Sequence, residues 1–257
     1  MRLVFAGGGT GGHLYPALAL ARYIVEQDPQ AEIIFFGKEK GLESHILPQE
    51  GFELKILDFK TPARKLSLKM GKSAFMLSKS TYQGLKILRK FSPHAVIGTG
   101  GYISVPVVLA AIILRIPTLL HEQNVIPGRA NKLMSSLVSL NGLSFSESAK
   151  FLPKRAKYKV LGNPRASEVA QASAEDGYKL LGMSPHKKNI LIVGGSQGAQ
   201  RLNQIMVETL QLLQGREDIQ ITYITGQRYF NEVSQIISNL RVGKNLSLKV
   251  LPYIENM

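Results

Sequence analysis

Cysteine is absent from the 257 residues, so neither a disulfide framework nor a thiolate metal site can exist, and a reducing compartment is compatible with the chain. Long apolar runs are also missing. The longest, Val105 to Leu120, is interrupted by Pro106, Arg115 and Pro117 and falls short of a membrane span. Arg2-Leu3-Val4-Phe5-Ala6 runs directly into glycines, too short an apolar stretch for a secretory h-region, so a soluble or peripheral protein is expected. Acidic residues are scarce, 18 against 32 basic ones, and none occurs between Asp58 and Glu122. The deficit is uneven: residues 1–165 hold 23 Lys/Arg and 10 Asp/Glu, whereas residues 166–257 hold 9 and 8. The first half therefore seeks an anionic partner, whether a bilayer surface, a phosphorylated substrate or a nucleic acid. No nucleic-acid motif accompanies the lysines, so a nucleic-acid partner is not expected.

What is present is a globular composition, 44% hydrophobic and 19% charged, with enough chain for one large or two modest α/β domains. Apolar strands are expected at 2–6, 31–36, 52–57, 94–97 and 116–121. They alternate with helices at 15–27 and 67–89 and a Val/Leu/Ala-rich helix before Ile116. After Gly162-Asn163-Pro164-Arg165 a linker with a short helix is expected over 166–188. A second unit then repeats the opening pattern: a strand at 189–193, a glycine turn, a helix at 202–213, a strand at 219–224, a helix at 229–240 and a strand at 246–251. This alternation predicts parallel sheets covered on both faces, in two domains spanning 1–163 and 164–257.

Both units begin with strand, glycine turn and helix: Gly7-Gly8-Gly9-Thr10-Gly11-Gly12-His13 in the first, Gly194-Gly195-Ser196-Gln197-Gly198-Ala199 in the second. Residues without Cβ let phosphate oxygens approach the backbone, and the following helix N-terminus offers unpaired N–H groups. Gly7, Gly9 and Gly12 also satisfy a dinucleotide fingerprint, which makes an oxidoreductase the rival reading. That fingerprint needs an acidic residue at the end of the second strand, and here the strand ends Phe35-Phe36-Gly37-Lys38, with Glu39 late. A non-catalytic module that docks on membrane or on lipid-linked phosphate is the third reading.

Taken together, GGGTGGH at 7–13, Gly100-Gly101-Tyr102, HEQN at 121–124, Gly162-Asn163-Pro164 and GGSQGA at 194–199 resemble the MurG family in order and approximate spacing. The resemblance implies a GT-B-type fold, two Rossmann-like domains facing across a cleft. It also implies an inverting transfer of N-acetylglucosamine from its UDP carrier to the C4 hydroxyl of the muramyl sugar of lipid I, giving lipid II. No cofactor and no obligatory metal are implied. The expected setting is peripheral, on the anionic cytoplasmic face of the cell membrane, with proteins of wall synthesis and division as implied partners. Members of that family continue for roughly another hundred residues. The second domain is therefore expected to be incomplete, with its last donor-site loops missing, whether the sequence is a fragment or a truncated frame.

Inverting transfer needs a base near the acceptor hydroxyl and donors for the leaving diphosphate. His13 is a candidate base or a phosphate hydrogen-bonding group. Glu122 is the alternative base or a carboxylate that fixes a neighbouring backbone amide. By the resemblance, Thr10, Gly11 and Gly12 touch ligand, Asn124 meets the donor sugar, Ser196 meets the UDP diphosphate or uridine, and the backbone of Ile254 meets uracil. Arg165 could reach a phosphate from the hinge. The 67–90 helix, with Phe75, Met76, Leu77 and Leu85 among lysines, is the membrane candidate; its other reading is a core-packed helix with a solvated basic face.

Overall fold

The computed structural model describes residues 1–57, 69–195, 198–240 and 246–254. Two compact units are present, Met1–Gln171 and Ala172–Met257. Both are α/β with wholly parallel sheets, as the alternation of elements predicts.

The first unit runs β1 (Arg2–Gly7), α1 (Gly11–Gln27), β2 (Glu32–Gly37), α2 (Leu42–Gln49), β3 (Glu53–Ile56), α3 (Lys69–Phe91), β4 (Ala95–Gly100), α4 (Ser104–Ile113), β5 (Thr118–Glu122), α5 (Arg129–Met134), β6 (Leu140–Leu143), a 3-10 turn at Ser146–Phe151, β7 (Tyr158–Val160) and α6 (Pro164–Gln171). Its strands lie in the order β3-β2-β1-β4-β5-β6-β7. The order reverses between β1 and β4, and a doubly wound sheet opens its ligand crevice at the carboxyl ends of the strands flanking such a reversal.

Strand periodicity sorts the core. Val4, Ala6, Ile34, Phe36 and Val96 pack on one face against Leu88, Ile103, Val107 and Ala110 of the α3–α4 region. Leu3, Phe5, Ile33, Phe35 and Ile97 pack on the other against Leu14, Ala17, Leu18 and Ala21 of α1 and Leu47 of α2. The central strands are thus buried on both faces, which explains their near-continuous apolar sequence. α6 packs on α1, and Arg22 pairs with both Glu50 (2.5 Å) and Glu168 (3.3 Å).

Local readings differ from the sequence expectation at several points. α1 starts at Gly11 rather than Tyr15, because Thr10 takes the extended N-cap conformation (φ −146°) and Gly11 and Gly12 enter the first turn. The second pair of glycines in the run therefore belongs to a helix N-terminus. α2 was not expected at all. The 166–188 linker is instead two helices, α6 and α7 (Ala174–Leu181); α7 is capped by Ser173 Oγ accepting from Glu175 N and closed by Gly182 at φ +62°.

The second unit continues from α7 with β8 (Lys188–Val193), α8 (Gln200–Leu212), β9 (Ile219–Ile224), α9 (Phe230–Asn239) and β10 (Ser247–Leu251), the strands ordered β10-β9-β8. β9 is central and fully buried. Buried Asn203 of α8 ties helix to sheet: Tyr223 Oη donates to its Oδ1 at 2.7 Å, and its Nδ2 donates to Thr225 O at 3.1 Å. Burial pushes the Tyr223 phenol up to about 12, so it remains a donor throughout the working range.

Candidate functional site

Within the first unit, the carboxyl ends of four adjacent strands surround a cavity of about 370 Å³. Gly8, Gly9, Thr10 and His13 follow β1, Lys38 follows β2, Gly100, Gly101 and Tyr102 follow β4, and Gly128 to Asn131 follow β5. The cavity thus lies where the strand order reverses.

The β1–α1 turn can approach the β4–α4 turn closely only because glycines line both. A Cβ on Gly101 would stand 2.7 Å from Gly8 O, and one on Gly100 would stand 3.0 Å from the His13 ring. Gly100 and Gly101 also have positive φ, +106° and +76° respectively, a region that favours glycine. Thr99 Oγ1 donates to His13 O at 2.7 Å and fixes the start of α1 from beneath. Thr10 occupies the N-cap but its side chain makes no capping bond. Its carbonyl accepts from His13 N and Leu14 N, both at 3.2 Å. The amides of Gly11 and Gly12, in the first turn of the helix, head a partial positive charge suited to an anion. His13 is half-buried against the cavity, and its buried Nδ1 has no partner among the described residues.

The HEQN segment is a buried polar network. Glu122 is 3% exposed and its carboxylate accepts four hydrogen bonds. Oε1 receives Asn124 N (2.9 Å) and Asn124 Nδ2 (3.1 Å); Oε2 receives Gly128 N (3.0 Å) and Asn131 Nδ2 (2.9 Å). This is the geometry of an anchor for the 123–128 loop. Asn124 is exposed at the loop's start, its side-chain amide oriented by Glu122. Asn131 was not singled out from sequence. It is a lone amide on a six-residue helix, yet it is buried, lines the cavity and carries an Oδ1 with no partner among the described residues.

His121 sits beneath this network. Its Nε2 lies 2.9 Å from Gly162 O and its Nδ1 lies 3.1 Å from Gln123 Nε2, which fits a neutral ring donating from Nε2 and accepting at Nδ1. Burial lowers its pKa, outweighing the Gly162 carbonyl and the Glu122 charge, which raise it. A base whose folded pKa is depressed stabilises the fold above its ordinary value of 6.5, and that contribution is lost as pH falls below it. Acidification from about pH 7.5 to about pH 5.5 should therefore lower the melting temperature of the wild type more than that of His121→Gln; equal slopes would contradict the neutral-ring assignment.

Arg165 begins α6, where its guanidinium pairs with Glu168 and lies 5.3 Å from the centroid of the Tyr15 ring, itself packed on Gly11. In the second unit, Gly195 and Gly198 both have φ +77° in the β8–α8 turn, and Gly194 N donates to Ile224 O at 2.9 Å. Ser196 lies outside the described residues. Ile254 is half-buried just beyond β10. The structure thus brings Thr10 and His13 together around one cavity, with Gly11 and Gly12 in the adjoining helical turn and Glu122 and Asn124 behind its β5 wall. Ile254 stands in the other unit.

Both units have counterparts among known proteins. Residues 3–139 match the glycosyltransferase family 28 N-terminal domain and residues 189–257 match the family 28 C-terminal domain. A UDP-N-acetylglucosamine--N-acetylmuramyl-(pentapeptide) pyrophosphoryl-undecaprenol N-acetylglucosamine transferase from Caldanaerobacter subterraneus is 43% identical over 257 residues, covering 100% of this chain and 70% of the relative. The enzyme of the same name from Halothermothrix orenii is 41% identical, with the same coverage of both chains. The crystal structure of Acinetobacter baumannii MurG superposes with a TM-score of 0.66 at 28% identity, covering 100% of this chain and 67% of that one. A UDP-GlcNAc 2-epimerase from Neisseria meningitidis, solved with UDP-GlcNAc, reaches a TM-score of 0.65 at 14% identity over 99% of this chain and 73% of its own, a likeness of fold.

Proposed function

This chain belongs to glycosyltransferase family 28 and within it to the MurG-type transferases, and from that premise we propose how it works. It moves N-acetylglucosamine from UDP-N-acetylglucosamine to the C4 hydroxyl of undecaprenyl-diphosphate-linked N-acetylmuramoyl-pentapeptide, converting lipid I to lipid II for the cell wall. The observation that carries the reading is the cavity at the strand-order reversal, where an imidazole nitrogen without a partner among the described residues adjoins the N-terminus of α1.

The acceptor diphosphate lies near the amides of Gly11 and Gly12, with the Thr10 hydroxyl beside it. This brings the muramyl sugar to His13. His13 accepts the C4 hydroxyl proton as that oxygen bonds to the anomeric carbon of the donor. The bond from that carbon to the UDP oxygen breaks on the opposite side, inverting the centre and releasing UDP. Glu122 holds Asn124 for contact with the donor sugar. The glycine turn before α8, with Ser196, takes the UDP diphosphate, and the backbone of Ile254 meets uracil. Arg165, paired with Glu168 and lying over the Tyr15 ring, contacts a phosphate from the hinge. Residues 1–163 form the acceptor half of this reaction and 164–257 the donor half, with α6 of the latter packed on α1 in the first compact unit. Incubating the chain with UDP-N-acetylglucosamine and a soluble short-chain lipid I analogue should yield an acceptor heavier by one N-acetylhexosamine in the mass spectrum. Recovery of unmodified acceptor alone would contradict the assignment.

The lipid-linked acceptor requires access to a bilayer. No helix among the described residues is long and apolar enough to cross a membrane. Of the expected membrane-facing side chains, Leu77 and Leu85 instead pack against the core. The outward surface of α3 keeps Phe75 (70% exposed) and Tyr82, with exposed Lys79 and Lys86 between and beyond them. Ile126 and Leu133 are likewise exposed on either side of the cavity-lining 128–131 segment. These side chains dock the first unit peripherally on the anionic cytoplasmic face of the membrane. Proteins of wall synthesis and division are its partners there. Sedimentation should show several-fold more protein on vesicles containing anionic lipid than on neutral ones, with the difference shrinking in high salt. Equal pelleting would remove the electrostatic part of the account.

A further inference from the structure

Among the described residues of the first unit Glu43 is the one carboxylate that is completely buried (0% exposed), and nothing in the chemistry above uses it. It stands at the second position of α2, after the N-cap Gly41. Acidic side chains in a first helical turn usually face water or cap their own helix. This one turns inward instead. Oε2 accepts Gly9 N at 3.2 Å and Oε1 accepts Lys38 N at 3.1 Å. Gly9 and Lys38 belong to two different loops, after β1 and after β2, and both line the cavity.

Room for the carboxylate comes from three glycines on three segments. A Cβ on Gly8 would stand 2.7 Å from Glu43 Oε1, one on Gly41 would stand 2.6 Å from Oε2, and one on Gly37 would stand 2.5 Å from Cγ. Each spacing is too short for a real Cβ, so the chain gives up three side chains around a single one. Such a nest costs conformational entropy and buries an ion, and its direct product is the fixed geometry of two backbone amides.

The geometry points to Glu43 as a positioning residue for the acceptor diphosphate. It draws the Gly9 N–H inward and holds that residue at φ +82°, which sets Thr10 as N-cap and presents the Gly11 and Gly12 amides to the ligand. By the same carboxylate it fixes the Lys38 backbone as a second wall of the cavity. Gly8 O in turn abuts Gly101, so the constraint reaches the turn that packs against the His13 ring. This inference rests on the assignment of the first cavity to the acceptor.

Glu43→Gln tests it, because an amide can accept from only one of the two N–H groups and must set its own NH2 against the other. Residue-resolved hydrogen exchange should show Gly9 or Lys38 exchanging at least tenfold faster, with Val4 and Ile97 in the strands unchanged. Affinity for the short-chain lipid I analogue should fall roughly tenfold and affinity for UDP-N-acetylglucosamine should hold. Gly8→Ala, which displaces the carboxylate from the opposite side, should reproduce both signatures should Glu43→Gln fold poorly. Unchanged exchange at both amides, unchanged analogue affinity, or equal loss of both ligands together with strand protection would each overturn the proposal. Failure of the wild-type chain to bind the analogue would count against the acceptor assignment, while the exchange measurement would still decide whether Glu43 holds the two walls.

Discussion

Replacing His13 by Ala should lower the turnover of sugar transfer by roughly 10²–10⁴-fold, the usual contribution of a positioned general base, with affinity for UDP-N-acetylglucosamine within about twofold of wild type. The size of the effect follows from what the substitution leaves untouched. The backbone of residue 13 is held by Thr99 Oγ1 and by its own N–H to Thr10 O, neither of which needs the imidazole. The glycine turn and the α1 amides therefore survive, and the diphosphate still binds. Only the ring that adjoins Gly100 and lines the cavity is lost. A fall in KM affinity for the acceptor with unchanged turnover would instead make His13 a phosphate ligand, the other role its sequence position allowed.

The second large effect is on folding. Glu122→Ala removes an acceptor of four hydrogen bonds: the buried Nδ2 of Asn131 keeps only His121 O, and the amides of Asn124 and Gly128 lose the anchor of their loop. Hydrogen bonds to a charged group contribute about 1.5–3 kcal/mol each, and they are not additive in one cluster, so a loss of about 3–5 kcal/mol is expected in urea unfolding. Glu122→Gln keeps the shape and should keep turnover within about tenfold of wild type, because an anchor with the right volume still positions Asn124. A folded Glu122→Gln variant with turnover reduced as severely as His13→Ala would return the base role to Glu122.

Why some of this was readable in the sequence and some was not has physical causes. β1, β2 and β4 are buried on both faces, so they appear as near-continuous apolar runs, and glycine clusters mark the carboxyl ends of β1 and β4. The polar HEQN block stood out because it ends a strand that would otherwise stay apolar. Where α1 begins was not legible: glycines read as turn, yet Gly11 and Gly12 are helical, a placement fixed by the extended Thr10 and by Thr99 from another strand. β6 and β7 were missed because Leu140–Leu143 and Tyr158–Val160 are four and three residues long, the latter an exposed edge. α2 was missed for a related reason. It has eight residues, contains Pro48 and faces inward chiefly through Glu43 and Leu47, too little to make a periodic stripe. With α2 went Glu43, whose setting is visible only when Gly8 of the β1 turn is seen packed on it together with Gly37 and Gly41. Asn131 likewise gave no signal, since its partners come from β5 and its neighbours from the β4 turn.

The central claim is a division of labour: the first glycine turn takes the lipid-linked diphosphate and the second takes the nucleotide sugar. Amide chemical shifts recorded while each ligand is titrated separately test it most directly. The short-chain lipid I analogue should move the amides of Gly9 to His13 and of Gly100 and Gly101, and UDP-N-acetylglucosamine should move those of Gly194 to Ala199. Perturbation of the first turn by the nucleotide sugar alone, with the second turn silent to it, would contradict the account.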